Sequence, residues 1–157
     1  MAKASLYSTF GSKDALIAAY LAGRHAARQA RITQALTRYD TPRERLLGLF
    51  DVLGELFAEP GYHGCAFVNA SAEASSDSQI REATARYRGW VRALLTDLAR
   101  ATGAAEPERL ARQFHLLYDG AGLSARLEGD AEVAAFARAA AVTLLDAALP
   151  PVDARGD

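Results

Sequence analysis

The sequence of this 157-residue chain predicts an all-α fold, and three observations support the prediction. Alanine, leucine, arginine and glutamate dominate the composition, and all four are good helix formers. Apolar residues recur at spacings of three and four, which is typical of amphipathic helices. Capping residues precede these stretches, and proline or glycine follows them. Only Ala66-Phe67-Val68 could pass for a strand, and its surroundings favour a helix.

The chain begins with a short helix-like run, residues 3–10, which a glycine separates from a much longer helix. Ser12 can cap the long helix, because its side-chain oxygen can accept a hydrogen bond from the first turn. Asp14 suits the positive end of the same helix. We therefore predict a leading segment over residues 1–11 and a long connecting helix over residues 12–39.

A capping box marks the start of the next helix. Thr41 is its N-cap, Pro42 stands at the first helical position, and Glu44 follows the cap by three residues. The apolar face of this helix consists of Leu46, Leu49, Phe50, Leu53, Leu56 and Phe57. Pro60-Gly61 is expected to end it.

A short helix and a long one are predicted next. The short helix covers residues 65–74, and the serine-rich loop after it supplies Ser78 as a cap. A long amphipathic helix then runs as far as Gly103, because glycine commonly ends helices. Pro107 starts the following helix, since proline is tolerated in the first turn.

The last helix is expected to begin at Asp130 as its cap and to end before Pro150-Pro151. The inward residues of the last two helices are expected to be Leu110, Phe114, Leu117, Ala121 and Leu127, followed by Val133, Phe136, Ala140, Leu144 and Leu145. The predicted body of the protein therefore covers residues 40–149, and residues 150–157 are expected to form a disordered tail.

Charge is distributed unevenly along the chain, although the net charge is only −1. Residues 1–40 carry six lysine and arginine side chains against two aspartates, whereas the remainder carries twelve against seventeen acidic side chains. A basic front on an acidic body is expected if the front contacts phosphate. Cys65 is the only cysteine, so no internal disulfide is possible. Without a signal-peptide pattern or a long apolar run, we expect a soluble, cytoplasmic protein.

Residues 3–10 suit a helix that reads DNA. Their apolar members can anchor one face in a core, while Lys3, Ser5, Tyr7 and Thr9 supply donors for phosphates or base edges. Lys13 lies at the start of the long helix, beside free N–H groups that also favour phosphate.

The run KASLYSTFGSKDALIAAYL closely resembles the end of the helix-turn-helix in TetR-type transcriptional regulators. The matching residues are Leu6, Tyr7, Phe10, Ser12, Lys13, Asp14 and Leu16. The resemblance implies an all-α, TetR-like regulatory domain with a partial N-terminal helix-turn-helix. It further implies that Tyr7, Thr9 and Lys13 contact DNA phosphates, and that Lys3 and Ser5 lie nearest the bases.

In the family, two helices precede the recognition helix, and this sequence lacks them. One interpretation is that the true start lies upstream, in which case the native protein is heavier by roughly 3–6 kDa. A second is a short form without a DNA-binding domain, and a third is a helical leader that packs on the body. We favour the first, because a recognition helix has little reason to persist without its support.

The resemblance implies a cavity for a small effector among the middle helices. The candidate ligand-binding residues are Phe57, Phe67, Asn69, Glu73, Trp90 and Tyr118. The aromatic members equally fit a plain aromatic core. The two polar members, four residues apart on a short helix, could bind a ligand or a neighbouring helix. Aromatic walls indicate an apolar or aromatic effector.

The last two helices are slim, with glycines and many alanines, which permits close packing of helices. In TetR-type proteins these helices pair with their twofold mates, so the resemblance implies a homodimer. The candidate interface residues are His115, Gly120, Gly122, Ala137 and Ala141. Packing within one chain is the alternative.

We therefore predict a ligand-responsive DNA-binding regulator, a repressor that a small effector releases from operator DNA. The alternative is a DNA-free ligand-binding dimer that acts by pairing with a relative. We predict no catalytic residue, cofactor or membrane partner, since the sequence contains no nucleophile elbow, phosphate loop, CxxC pair or HExxH helix. His63 and Cys65 lack a third ligand nearby, so no metal site is predicted.

Overall fold

The computed structural model describes residues 8–72, 74–75 and 78–150, and these form six helices without any strand. The all-α prediction is confirmed, and residues 66–68 lie in a helix. Ser8 to Phe10 are also helical. The helices are α1 (Lys13–Leu36), α2 (Pro42–Phe57), α3 (Ala66–Ser71), α4 (Gln79–Ala101), α5 (Pro107–Glu128) and α6 (Val133–Ala148).

The predicted caps of the first, second and fourth helices are confirmed. The side chain of Ser12 accepts a hydrogen bond from the backbone of Ala15 at 3.1 Å. Ser78 accepts from the backbone of Arg81 at 3.3 Å. Thr41 forms the full capping box: it accepts from the Glu44 amide at 3.2 Å, while its own amide donates to the Glu44 carboxylate at 3.0 Å.

Replacing Thr41 by alanine is expected to lower the free energy of unfolding by about 1 kcal/mol, because the side-chain half of the capping box is lost, although the backbone amide of residue 41 can still donate to Glu44. Urea denaturation followed by circular dichroism measures this change. Thr96→Ala is the matched control, since Thr96 bonds only the carbonyl of Arg92 within its own helix. Equal losses in both variants would show that the capping box contributes nothing specific.

α2 is the central helix of the body and packs against α1, α4, α5 and α6. Its Phe50 meets Phe114 of α5 with 5.7 Å between ring centroids, and both side chains are fully buried. Position 48 has room only for glycine, because the ring of Tyr39 occupies the space of a side chain. An added Cβ would lie 2.4 Å from that ring. Tyr39 in turn donates to Asp51 at 3.2 Å.

α4 and α5 are antiparallel. Arg88 pairs with Asp119 near the middle of the two helices, and Arg100 pairs with Glu108 near the end of α4 and the start of α5. α5 also packs along α6, so it lies between α4 and α6. None of the helices within the described residues is long and apolar enough to cross a membrane.

Several predicted details of the second half are wrong. Glu132, not Asp130, is the N-cap residue of α6, and Asp130 instead accepts from the Glu132 amide at 2.8 Å in the turn before it. The buried face of α6 consists of Ala134, Ala137, Ala141 and Leu145.

The predicted inward residues Leu127 and Phe136 are 72% and 70% exposed, and Ala140 is exposed as well. The physical reason is that α6 has apolar residues all around its N-terminal half. Spacing alone then does not decide which side faces the core.

Candidate functional site

An aromatic cluster lies beside the middle of α1 and receives side chains from four helices. Its members are His25, Arg28, Phe67, Tyr87, Trp90 and Tyr118. Phe67 of α3 stacks flat on Tyr87 of α4, with ring centroids 4.0 Å apart and planes 4° apart. The ring of His25 meets Tyr87 edge-on at 5.6 Å and Trp90 at 5.5 Å. These side chains contact one another directly, so an occupant must separate them.

Two tyrosines close the inner side of this cluster. The hydroxyl groups of Tyr87 and Tyr118 are 2.7 Å apart, and Arg28 donates to the Tyr118 hydroxyl at 3.5 Å. Burial raises the pKa of both tyrosines, so both remain neutral at physiological pH. The guanidinium group of Arg28 therefore supplies the positive charge beside the two tyrosine hydroxyl groups.

His25 has a buried ring nitrogen that lacks a partner. Among the described residues, no group forms a hydrogen bond with its Nε2. Burial, and to a lesser degree the charge of Arg86, lowers the pKa of this histidine, so the ring is neutral at pH 7. A buried polar atom without a hydrogen bond costs free energy, and such atoms are uncommon in folded proteins. The cluster thus presents one unsatisfied polar atom amid aromatic rings.

Sequence reasoning missed His25, Arg28 and Tyr87. A usable signal was present, because Leu21, His25, Arg28 and Ile32 are spaced by four, three and four residues along α1. That spacing places a histidine and an arginine on the inward stripe of the helix. Polar residues at such positions indicate a partner or a site.

The predicted ligand-binding residues divide into two groups. Phe67, Trp90 and Tyr118 belong to the aromatic cluster, while Phe57 instead meets the ring of Tyr62 at 5.1 Å. Burial raises the pKa of Tyr62 to about 12.

Asn69 is bound at both ends by protein groups, since it donates to the His63 carbonyl at 3.1 Å and accepts from Arg126. Of the two roles considered for Asn69, these bonds fit contact with neighbouring protein groups rather than with a ligand. Glu73 lies outside the described residues.

The end of the chain that is predicted to face DNA is described only in part, since the predicted contacts Lys3, Ser5 and Tyr7 lie outside the described residues. Thr9 and Lys13 are both exposed and lie on either side of Gly11, which has a φ of 79°. That left-handed backbone angle favours glycine and turns the chain between the two segments. Lys13 is the first residue of α1, where free N–H groups favour an anion.

An exposed apolar face runs along α5 and α6. We call Leu116, Leu123, Leu127 and Phe136 the α5–α6 apolar face, since all four are large and at least half exposed. Gly120 is exposed on the same stripe of α5, four residues after Leu116. Side chains of this size on one stripe are typical of a surface that another protein covers.

Three of the predicted interface residues are buried within the protomer. His115 is 7% exposed, Ala137 is 9% exposed and Ala141 has no exposed surface. These side chains offer little surface to a partner copy, and their place in a dimer interface stays a prediction. Gly122 lies 3.8 Å from the Tyr62 hydroxyl, measured from the position a Cβ would take. The interface prediction for α6 relied on its alanines Ala137 and Ala141, and these alanines lie on the face of α6 that packs on α2.

A comparison with protein families identifies the fold. The family described as "Tetracyclin repressor-like, C-terminal domain" matches residues 42–141, which is more than half of the chain. The chain belongs to the TetR family. TetR-family proteins are transcriptional regulators, which supports a regulator and not an enzyme.

Solved structures show the same fold as this TetR-family chain. SCO4454 of Streptomyces coelicolor, a TetR-family transcriptional regulator, is 27% identical, with a TM-score of 0.85 over 94% of this chain and 78% of that one. The proposed TetR transcriptional regulator sav143 of Streptomyces avermitilis is 31% identical, with a TM-score of 0.79 over 93% of this chain and 80% of that one. E. coli NemR in its reduced form is 26% identical, with a TM-score of 0.76 over 90% of this chain and 78% of that one. No curated protein gives a significant match.

Proposed function

We propose that this TetR-family chain is a repressor that a small apolar or aromatic effector releases from operator DNA in the cytoplasm. The observation that supports this most directly is the position of the aromatic cluster on α1. The same helix begins with Lys13, at the end that the family resemblance assigns to DNA. α1 therefore joins the aromatic cluster to the end proposed to face DNA.

The chemistry of the cluster fits a ring-containing effector with one polar group. Phe67, Tyr87 and Trp90 supply flat apolar surfaces, and a ring inserted among them would gain aromatic contacts. The unpartnered Nε2 of His25 would gain a hydrogen bond from the polar group. Apolar walls with few polar groups are the usual composition of such sites.

The proposed switch follows from which helix carries the polar groups. His25 and Arg28 belong to α1, whereas the stacked rings belong to α3 and α4. An occupant that separates the rings from His25 must shift α1 relative to the body. Each 1.4 kcal/mol by which the effector prefers the shifted state lowers operator affinity about tenfold.

We further propose that the active form is a homodimer joined through the α5–α6 apolar face. The face takes its side chains from two helices that pack on each other, and these are the helices that the family resemblance assigns to dimerisation. A second copy presents the same face, which gives an isologous interface. Two copies would also supply the two recognition helices that an operator with two half-sites requires.

The first experiment pairs ligand binding with DNA binding. Compounds such as 1-naphthol are titrated by calorimetry, and operator affinity is measured by fluorescence anisotropy on a form with a complete helix-turn-helix. We expect a compound that binds the cluster to weaken operator binding. If such a compound leaves operator affinity unchanged, the switch is wrong. If no form binds specific DNA at any salt concentration, the DNA-free dimer is the better interpretation.

Replacing His25 by phenylalanine separates a ligand role from a structural role. The substitution keeps a ring in contact with Tyr87 and removes the unpartnered nitrogen, so we expect unchanged or higher stability. Effector affinity is expected to fall roughly tenfold, the cost of one lost hydrogen bond. His63→Phe, on an exposed loop residue, is the matched control. A large loss of stability without loss of affinity would assign His25 a purely structural role.

A further inference from the structure

A second site of distinct chemistry lies on the outer surface, in the groove between α4 and α5. The groove has a volume of about 350 Å³, and its walls are formed by Arg88, Arg92, Arg112, His115, Leu116 and Asp119. It shares none of these residues with the aromatic cluster. Three arginines converge on this one groove, although acidic side chains outnumber basic ones over residues 41–157 as a whole.

One of the three arginines is already neutralised. Arg88 forms a two-pronged ion pair with Asp119, with N–O distances of 3.0 and 2.7 Å. This geometry holds the carboxylate in place and orients it toward Arg88. Asp119 therefore offsets the charge of Arg88, and its Oδ1 also lies 3.8 Å from Nε2 of His115.

The other two arginines keep their charge. Within the part of the chain that the structure describes, no carboxylate lies within 4 Å of the guanidinium groups of Arg92 or Arg112. His115 adds no third charge, because burial, the largest influence, lowers its pKa; the charge of Asp119 raises the pKa, while Arg88 and Arg92 lower it further. The groove thus carries two uncompensated positive charges beside a buried neutral imidazole and the exposed apolar side chain of Leu116.

We propose that this groove binds a small organic anion, whose carboxylate or phosphate group is held by Arg92 and Arg112 and whose apolar part contacts Leu116. An anion relieves the repulsion between the two guanidinium groups, and planar guanidinium groups suit both carboxylate and phosphate oxygens. The volume accommodates a small molecule rather than a macromolecule. The inference is independent of the effector site, because the two sites have no residue in common.

The competing occupant is a carboxylate of a second copy of the chain. Leu116 also belongs to the α5–α6 apolar face, so the groove opens beside the surface proposed for the homodimer. The experiment therefore measures both anion binding and oligomeric state.

Calorimetric titrations at constant ionic strength use phenyl phosphate, phenylacetate, inorganic phosphate and neutral benzyl alcohol. We expect one phenyl phosphate or phenylacetate to bind per chain, inorganic phosphate to bind more weakly, and benzyl alcohol not to bind in the groove. Whichever of phenyl phosphate and phenylacetate binds with the higher affinity shows whether the groove prefers a phosphate or a carboxylate group. Arg92→Gln combined with Arg112→Gln is expected to weaken that anion roughly tenfold or more, because charge-assisted hydrogen bonds are lost.

Arg81→Gln combined with Arg109→Gln is the matched control, with one exposed arginine removed from each of the same two helices, away from the groove. We expect it to retain binding, and His25→Phe to retain it too. Equal weakening by the control pair would mean unspecific attraction and would overturn the proposal. So would the absence of binding by any anion at millimolar concentration. Loss of dimerisation in the Arg92/Arg112 variant, without anion binding by the unaltered protein, would assign these arginines to the partner copy instead.

Discussion

Replacing Phe114 by alanine is expected to lower the free energy of unfolding by about 4 kcal/mol, the largest single effect among these predictions. Phe114 has no exposed surface and meets Phe50 at 5.7 Å, at the contact between the central helix α2 and α5. Removing the ring leaves a cavity that neighbouring helices fill only in part. Total stabilities of domains are about 5–15 kcal/mol, so the variant is expected to be marginal.

Urea denaturation followed by circular dichroism measures the change. Because the alanine variant has little stability to spare, Phe114→Leu provides a second measurement, expected to cost less than half as much. Tyr20→Ala is the control, since Tyr20 is exposed on α1, and its expected change is within about 0.5 kcal/mol. A loss below about 1 kcal/mol for Phe114→Ala would show that the α2–α5 contact is not central to stability.

Introducing charge on the α5–α6 apolar face is expected to abolish dimerisation. Leu127→Glu with Phe136→Glu places two carboxylates where the proposed interface buries two large apolar side chains. Truncation of one central interface residue commonly weakens association roughly 30-fold or more, and a buried unpaired charge adds to that loss. We therefore expect a dimer for the unaltered chain and a folded monomer for this variant at micromolar concentration.

Sedimentation velocity over a range of concentrations distinguishes the two states, and circular dichroism confirms that the variant is folded. Val68→Glu is the control, because Val68 is an exposed apolar residue on α3, away from this face. A dimer that survives Leu127→Glu with Phe136→Glu, or one that Val68→Glu dissociates equally, would place the interface elsewhere.

Local sequence signals predicted the helix starts well, and the reason is physical. The caps at Ser12, Thr41 and Ser78 involve groups within three residues of one another, so the sequence alone contains all the partners. The facing of α6 was predicted wrongly, because alanine is compatible with both a buried and an exposed position. Its true face is determined by contact with α2, which lies far away along the chain.

The candidate sites depend even more on distant contacts. Phe67, Trp90 and Tyr118 were predicted from their aromatic character, but His25 came to them only through the packing of α1 on α4. Arg92 and Arg112 lie on different helices, and the antiparallel packing of α4 and α5 brings them into one groove. No spacing rule within a single helix describes either arrangement.

The position of His25 along α1 has a geometric consequence for the proposed regulator. His25 follows the cap residue Ser12 by 13 positions, which corresponds to about 20 Å of α-helix. A tilt of α1 by about 5° would then displace the start of the helix by about 1.7 Å relative to His25 over that length. In a twofold dimer, opposite displacements would change the separation of the two ends by about 3.4 Å, the rise of one base pair along DNA. A rotation of about 5° would thus change the separation of the paired ends by a full step of the double helix.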